Sequence, residues 1–330
     1  MQMKNKSGIL IAALVMFVMI GVICILSVGR AAKGGYNFQI FDFSFGRAEL
    51  RNTIELSPAE VNSLKLEYGS KNIFVYSTSD EMIVIKEFLC NDRPENMASV
   101  TYEENNKVVV TGGNVHTIAF FSFGIKTGER IEVYIPDKAL SELSIQSGSG
   151  NITGEHGGVT QEGSISITAG SGNVKWNSVD AEEVSFQAGS GNINLSDIEG
   201  DIRIQTGSGN ISGDYLNGNV NASAGSGNIT LTKFAGGGTM TANSGNLKVE
   251  TSQVDSDIRM KTGSGNIKLE VPKDLQFRLE INTGSGNIHT DFDETLAFNK
   301  KGNSAQGNVG DNPDINISLE ANSGNVKVSE

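Results

Sequence analysis

Residues that build covalent frameworks and metal sites are scarce in this sequence. It contains 2 cysteines, 3 histidines, 1 tryptophan and 5 prolines among 330 residues. Cys24 lies in an apolar run and Cys90 follows a predicted strand, so the two do not form a disulfide framework. His116, His156 and His289 are scattered without the spacing of metal ligands. We therefore expect no metal site and no disulfide-stapled fold.

Signatures of catalysis and of nucleotide binding are also missing. The glycine-rich segments lack the Lys-Ser/Thr pair of a P-loop, and Gly148-Ser149-Gly150 is a repeated corner rather than a nucleophile elbow. No array of the calcium-binding nonapeptide occurs. A polysaccharide-cleaving β-helix enzyme would need Asp, Arg or Lys in register on one outward ladder, and we find no such cluster. We expect no enzymatic activity and no cofactor.

Positive charge is in the minority, with 26 Lys and Arg against 38 Asp and Glu and a net charge of -12. Four of the basic residues, Lys4, Lys6, Arg30 and Lys33, flank the first apolar run, and no acidic residue precedes Asp42. The remaining chain is therefore more acidic than the total suggests. This argues against nucleic acid and anionic lipid as the main ligand and is typical of a solvated acidic surface.

A long apolar run extends from Ile9 to Val28 without a charge. Twenty residues in a helix cover the roughly 30 Å of a bilayer core. This predicts a short cytoplasmic tail (1–8), a single transmembrane anchor (9–28) in the cell membrane, and an extracytoplasmic remainder. A cleaved signal peptide is the alternative, because Ser27-Val28-Gly29 offers small residues for cleavage. The positive charges on the two sides of the run nearly balance, so the orientation is open.

Glycine is plentiful, with 40 residues, and much of it belongs to one repeat. Gly-Ser-Gly-Asn or Asn-Ser-Gly-Asn is followed each time by an aliphatic residue. The asparagine of the unit falls at Asn151, Asn173, Asn192, Asn210, Asn228, Asn246, Asn266, Asn287 and Asn325. The period is near 20 residues, and Gln306-Gly307-Asn308-Val309 is a degenerate unit within the longer last gap. Such a period predicts a solenoid of stacked coils.

Apolar residues lie eight and six positions before the asparagine, and one and three positions after it. They form two short strands with one buried face each. A small residue stands four positions before the asparagine, five residues before the next apolar position. In a straight strand these two residues would point to opposite faces, so the Gly-Ser-Gly between them must turn the chain for both to point inward. Trp176 occupies an inward position, which favours the core over a sugar-stacking platform.

The two glycines of this turn are predicted to have different roles. The first is replaced only by Asn243 and Asn322, which predicts a left-handed backbone there. The second is constant in the nine clear units, so we expect no room for a Cβ. Gly200, Gly218 and Gly236 mark a second, looser corner, two residues after a third apolar column that includes Ile198 and Leu216. Ser and Asn at the corners are expected to form ladders from coil to coil.

The predicted fold is all-β: a β-solenoid of about ten 18–22-residue coils at 141–330, behind an irregular β cap at 60–140 and a juxtamembrane segment at 29–59. Tyr68-Gly69-Ser70-Lys71-Asn72 is a degenerate coil within the cap. The aromatic stretch from Tyr36 to Phe45 is either a strand or an interfacial belt. Asn299–Asp314 departs from the repeat. The last predicted coil then ends on Val326 and Val328 with no cap. This end is a candidate for association with a partner or with a second copy, and the alternative is that it frays.

A family resemblance follows from these residues. An apolar span, then Ile131-Glu132-Val133-Tyr134-Ile135-Pro136, then Leu143-Ser144-Ile145 entering serial Ser-Gly-Asn-Ile units, resembles the DUF4097 family of bacterial adhesin-type proteins with β-strand repeats. The resemblance covers about residues 60–330. It implies a bacterial envelope protein with a single-chain β-solenoid, and some relatives sit in envelope-stress operons. It supplies no catalytic or binding residues.

Two functions from different classes fit the sequence. The first is a surface-exposed, non-enzymatic binding or adhesion module that offers ladders of Ser, Thr and Asn to a cell-wall polymer, a glycan or an envelope protein. The second is a structural or envelope-stress scaffold or sensor that self-associates end to end through the solenoid. The sequence assigns no ligand-binding residue to either.

Overall fold

The computed structural model describes residues 37–42, 46–113, 117–122 and 126–330. Over these ranges the protein is all-β, and its helices are three single 3₁₀ turns at Pro94–Asn96, Glu104–Asn106 and Asp293–Thr295. No helix in these ranges has the length and apolarity needed to cross a membrane. The predicted tail (1–8) and anchor (9–28), with Cys24, lie outside the described residues, as does His116.

Strands of 2 to 16 residues follow one another along the chain. The first eleven are β1 (Asn37–Asp42), β2 (Gly46–Arg47), β3 (Glu49–Leu56), β4 (Ser63–Tyr68), β5 (Asn72–Thr78), β6 (Ile83–Leu89), β7 (Ser99–Glu103), β8 (Lys107–Thr111), β9 (Thr117–Ser122), β10 (Lys126–Thr127) and β11 (Arg130–Pro136). The repeat region begins with β12 (Leu140–Ser147), β13 (Ile152–Glu155), β14 (Val159–Ala169), β15 (Val174–Ala188), β16 (Ile193–Thr206), β17 (Ile211–Ala224), β18 (Ile229–Ser244) and β19 (Leu247–Gln253). It ends with β20 (Ile258–Ser264), β21 (Ile267–Glu270), β22 (Phe277–Ser285), β23 (Ile288–Thr290), β24 (Leu296–Phe298), β25 (Ser304–Val309), β26 (Ile315–Ser323) and β27 (Val326–Ser329).

Each repeat unit forms one coil, called here a rung and numbered by its asparagine. A rung is a strand, a tight corner (Gly-Ser-Gly or Asn-Ser-Gly), a second strand and a loose corner. Neighbouring rungs pair in parallel with equivalent residues opposite each other, as Ile193 with Ile211 and Ile211 with Ile229. The predicted β-solenoid register is therefore confirmed for these rungs.

The inward columns form one continuous core. Ile193, Ile211 and Ile229 are each at most 1% exposed, and burial of one such side chain stabilises the fold by about 1.5–3 kcal/mol. Trp176 is also in the core, 1% exposed, and packs over Gly154, where an added Cβ would lie 2.6 Å from the indole ring. A role for Trp176 as a surface sugar platform is therefore wrong, and its bulk explains why the neighbouring rung has a glycine.

The predicted left-handed backbone at the first glycine of the tight corner is wrong. None of these first-position glycines has a positive φ, and neither has Asn243 or Asn322. Where glycine stands, the rung below is close: a Cβ on Gly207 would lie 2.4 Å from the Gly189 oxygen, whereas Asn243 and Asn322 carry a Cβ at this position of their own corners. At the second position a Cβ on Gly209 would lie 1.9 Å from the Gly191 oxygen, so the expectation of no room is confirmed there.

The N-terminal end of the solenoid is not stacked in chain order. Strands β4 and β5 form rung 72 beneath rung 151, and the Asn151 N–H donates to Asn72 Oδ1 at 2.9 Å, so the degenerate coil is confirmed. Rung 72 lies in turn on β8 and β11, which come later in the chain. The sequence between those two strands, residues 112–129, contains no Gly-Ser-Gly. Strands β3, β6 and β7 add antiparallel pairs that close this end.

The C-terminal end departs from the prediction more strongly. Rung 325, made of β26 and β27, lies between rung 266 and rung 287 rather than beyond them. The uncapped terminal rung predicted at Val326 and Val328 is therefore wrong, because both residues are fully buried between two neighbouring rungs. Asn308 is not a corner either: it lies on β25, which pairs antiparallel with β22 and, with β24, covers the outer edge.

The aromatic stretch near the start of the described chain forms a strand. Strand β1 pairs in parallel with β9, with Phe38 opposite Ile118 and Phe41 opposite Phe121. The short strands β2 and β10 pair in the same way. The strand interpretation is thus confirmed at the level of the backbone.

Candidate functional site

The predicted repeat asparagines lie in one column along the tight corners. In space the order is Asn72, Asn151, Asn173, Asn192, Asn210, Asn228, Asn246, Asn266, Asn325 and Asn287. Each Oδ1 accepts the backbone N–H of the next asparagine at 2.8–2.9 Å, as Asn210 Oδ1 does from Asn228. The expected side-chain amide bond is secondary: Asn228 Nδ2 lies 3.2 Å from the same oxygen. This column holds the corners together and uses its acceptors internally, so it is structural.

A polar face is formed by the outward side chains of the strands that precede the tight corners. One column contains Ser144, Ser166, Ser185, Arg203, Asn221 and Thr239, and the other contains Gln146, Thr168, Gln187, Gln205, Ser223 and Thr241. These side chains are in register from rung to rung, and Arg203 is the one charged member. Charged pairs border the face, Lys65 with Glu67 at one end and Lys261 with Glu320 at the other. These two columns thus carry a single charge, whereas the outward column two residues earlier on the same strands contains Glu142, Glu183 and Asp201.

A groove runs along the loose corners, with a volume of about 400 Å³. Its floor includes the buried third apolar column at Val179, Ile198 and Leu216, which the sequence predicts. One row of lining residues contains His156, Ser178, Asp197, Tyr215 and Lys233, and its middle three members directly precede the floor residues. A second row contains Asp180, Glu199, Asn217 and Ala235, and its first three members directly follow the floor residues. The groove therefore crosses several rungs parallel to the direction of stacking.

The first row of the groove has a left-handed backbone throughout. The φ angles of His156, Ser178, Asp197, Tyr215 and Lys233 lie between 51° and 59°. A non-glycine residue in this region costs roughly 1–2 kcal/mol, although Asp and His tolerate it better than Tyr or Lys. This row is not predictable from residue type, because only Asp197 and His156 belong to types that favour the conformation. The detectable signal was a polar residue directly before each member of the third apolar column.

Tyr215 and Lys233 form a fixed pair on this row. Lys233 Nζ donates to the Tyr215 hydroxyl at 2.8 Å and lies 4.0 Å from the centre of its ring. This hydrogen bond is the main reason that the pKa of Lys233 is raised. Tyr215 is nevertheless 54% exposed, so an ordered aromatic side chain is available to a ligand in the groove.

A buried carboxylate lies in the N-terminal cap. Glu87 is fully buried, and its Oε2 accepts Asn52 Nδ2 at 2.8 Å and the Ala98 N–H at 2.7 Å. The Tyr68 hydroxyl and Glu87 Oε1 are buried without a hydrogen-bond partner among the described residues. Burial, followed by the charge of Glu87, raises the pKa of Tyr68. No lining residue of the groove belongs to this cluster, so its role is in the cap.

The remaining candidate residues are not brought together. His156 lies in the groove, whereas His289 is on β23 near the opposite end. The Cys90 thiol donates to the Gly46 oxygen at 3.2 Å beside the short pair of β2 and β10. In the described part of the chain, no group of three or more His, Cys, Asp or Glu residues is arranged to hold a metal ion.

The family model described as Toastrack DUF4097 matches residues 61–329. No curated protein matches the chain in sequence. A candidate adhesin from Bacteroides fragilis is 12% identical, with 84% of this chain and 96% of that chain covered and a TM-score of 0.39. A candidate adhesin from Parabacteroides merdae is 12% identical, with 88% and 100% covered and a TM-score of 0.36. Likeness at this level provides no basis for transferring function.

Proposed function

The chain belongs to the Toastrack DUF4097 family, and from that premise we propose that it is a non-enzymatic binding or adhesion module of the bacterial cell envelope. In this proposal residues 9–28 anchor the chain in the cell membrane and the solenoid extends outside the cytoplasm. Its ligand is a cell-wall polymer or another envelope glycan.

The polar face carries this proposal. Twelve outward side chains in two columns present hydroxyl and amide groups at a constant rung spacing of about 4.8 Å, with one charge among them. Hydroxyls and amides both donate and accept hydrogen bonds, as sugar hydroxyls and acetamido groups also do. A repeating neutral polymer could therefore contact several rungs at once, and weak contacts would add through multivalency.

The end-to-end scaffold is the weaker alternative. It was motivated by an open C-terminal rung, and rung 325 lies inside the stack. Antiparallel strands β24 and β25 cover the outer edge of β22 at that end, and covered edges resist pairing between chains.

Retention on the cell wall of the source bacterium tests the binding function. The purified full chain in detergent should sediment with isolated sacculi, and Gln187→Ala combined with Gln205→Ala on the polar face should weaken retention several-fold. Asn194→Ala combined with Ser212→Ala, exposed on the strand after the tight corner, is the matched control and should bind as the wild type does. Failure of the wild-type chain to sediment above a globular control would refute the proposal.

Protease treatment of cells tests the location. The anchor and orientation proposed for residues 9–28 require that protease added to intact cells digests the solenoid. Digestion that occurs only after lysis would show that the solenoid faces the cytoplasm.

A further inference from the structure

We propose that the loose-corner groove is a second binding site, specific for a neutral glycan chain that lies along the direction of rung stacking. This inference rests on the proposed binding function and adds a site that is separate from the polar face. The observation behind it is a cavity of about 400 Å³, lined by two rows of polar side chains over an apolar floor.

The shape of the groove fits an extended chain rather than a compact ligand. Its first row contributes one side chain from each of five successive rungs, from His156 to Lys233. Rungs are about 4.8 Å apart, so the row extends over about 19 Å. A linear oligosaccharide of several sugars matches that length and would contact each rung in turn.

The lining groups suit sugar rings. Lys233 Nζ lies over one face of the exposed Tyr215 ring, so the C–H face of a sugar would pack against the opposite face. Asp197, Glu199 and Asn217 surround it with acceptors and one amide donor for hydroxyl groups. An apolar floor with a few fixed polar groups is the usual composition of a small-molecule site.

The charges of the groove favour a neutral ligand. Asp180, Asp197 and Glu199 repel an anionic polymer along the middle of the groove. Asp137 and Lys138 stand side by side at one end and Lys233 at the other, so the carboxylates do not form an unbroken acidic row for a run of positive charge. A cationic peptide is therefore the less favoured occupant.

The backbone supports the same assignment. Glycine would occupy a left-handed position without strain, yet all five first-row positions carry side chains that line the groove. Tyr215 and Lys233 are residue types that do not favour the left-handed conformation, yet both adopt it. Strained backbone is often retained where a side chain has a function.

Binding of defined hexasaccharides tests the groove. The full chain in detergent is titrated by calorimetry with chitohexaose and cellohexaose, two neutral β-linked probes, and we expect saturable binding of at least one. Tyr215→Ala should weaken it about tenfold, as expected for a central aromatic contact, and Tyr215→Phe should retain most of it. Asp197→Asn should weaken it several-fold without changing the thermal unfolding midpoint.

Two exposed residues outside the groove provide matched controls. Tyr102, 67% exposed on β7, and Asp274, exposed before β22, line no part of the groove. Tyr102→Ala and Asp274→Asn should bind both probes as the wild type does. The double variant of the polar face, Gln187→Ala with Gln205→Ala, should also keep hexasaccharide binding while its sacculus retention weakens several-fold.

Several results would overturn the inference. Equal affinities for Tyr215→Ala and Tyr102→Ala would place the site elsewhere. Binding of polylysine or of polygalacturonate in preference to both neutral probes would refute the ligand class. Sacculus retention by the wild type without binding of either hexasaccharide would reject the groove and leave the proposed function standing, whereas loss of both would reject the two together.

Discussion

Residues of the tight corner are constrained by the carbonyl groups of the rung below. Successive rungs lie close enough that the second glycine of each corner has an oxygen where its Cβ would be, at 1.7–2.1 Å. Contact between rungs is therefore the constraint common to all the corners, and a positive φ adds to it at Gly265 and Gly324. The same closeness allows each asparagine Oδ1 to reach the next backbone N–H.

Gly209→Ala should be strongly destabilising. The added methyl group would lie 1.9 Å from the Gly191 oxygen, and relief requires the rungs to separate. We expect a loss of about 3 kcal/mol in the free energy of unfolding, measured by urea denaturation followed by circular dichroism. Gly302→Ala is the control: its φ is +70° but nothing lies within 4 Å, so its cost should be about 1 kcal/mol. A cost for Gly209→Ala no larger than that of Gly302→Ala would show that contact between rungs does not select glycine.

Asn210→Ala should remove one acceptor from the asparagine column. The Asn228 N–H loses its partner at 2.9 Å, at an expected cost of about 1 kcal/mol because the site is exposed. Asn287→Ala is the matched control, since Asn287 is at the end of the column and no described rung donates to it. Thermal unfolding should shift for the first variant and stay nearly unchanged for the second. Similar shifts would mean that the column adds nothing beyond the corner itself.

Burial of Tyr68 makes the free energy of unfolding depend on pH in the alkaline range. Burial and the charge of Glu87 raise the pKa of folded Tyr68, whereas the unfolded residue titrates near pH 10. Above that pH the unfolded state binds fewer protons than the folded state, so stability that is complete at neutral pH is lost as pH rises. Tyr68→Phe should therefore flatten the decline in unfolding midpoint between about pH 10 and 12 relative to the wild type. Parallel declines would show that Tyr68 does not contribute.

At the scale of elements, the exchanged order of the last rungs is the main departure from the repeat. The chain forms rung 266, continues to rung 287, turns back through β24 and β25, and places β26 and β27 in the gap. The inserted strands add specific contacts to rung 266: Lys261 pairs with Glu320 at 2.9 Å, and the Asn316 N–H donates to Asp257 at 2.7 Å. Strands β26 and β27, the last two described along the chain, therefore occupy an internal position in the stack of rungs.

A disulfide test separates the two possible orders. Lys261→Cys with Glu320→Cys should cross-link readily under mild oxidation, because the two are direct partners on adjacent rungs, about 4.8 Å apart. Lys261→Cys with Asn282→Cys should not, because rung 325 separates them and two rung steps are about 9.6 Å. Stacking in chain order predicts the opposite result, read from mobility on a non-reducing gel.

The sequence allows the rung to be predicted but not the order of the terminal rungs. The inward residues recur at fixed distances from each asparagine, and that pattern is sufficient for strands, corners and core. The exchange leaves the pattern unchanged, because Val326 and Ile288 are both aliphatic residues at the same position of their rungs. The left-handed row was hidden for another reason: Tyr215 and Lys233 are not residues from which that conformation is inferred.

At the scale of the whole molecule, the solenoid separates surfaces of different character. The asparagine column uses its polar groups to join rungs, the polar face leaves hydroxyls and amides in register, and the loose-corner groove places an aromatic ring among carboxylates. These surfaces follow the direction of stacking, because equivalent residues of successive rungs lie above one another. A ligand with a regular repeat can therefore contact many rungs.

The distances between rungs test the stacked architecture most directly. Spin labels would be attached at Gln146 and, in separate samples, at Ser223, Lys261, Glu320 or Asn282, in a background without the native cysteines. These positions lie in one column of strand pairs, four, six, seven and eight rung steps from Gln146. Pulsed dipolar spectroscopy should give distances that rise in that order, near 19, 29, 34 and 38 Å at about 4.8 Å per rung. Distances that fail to increase, or a shorter distance to Asn282 than to Glu320, would contradict the account.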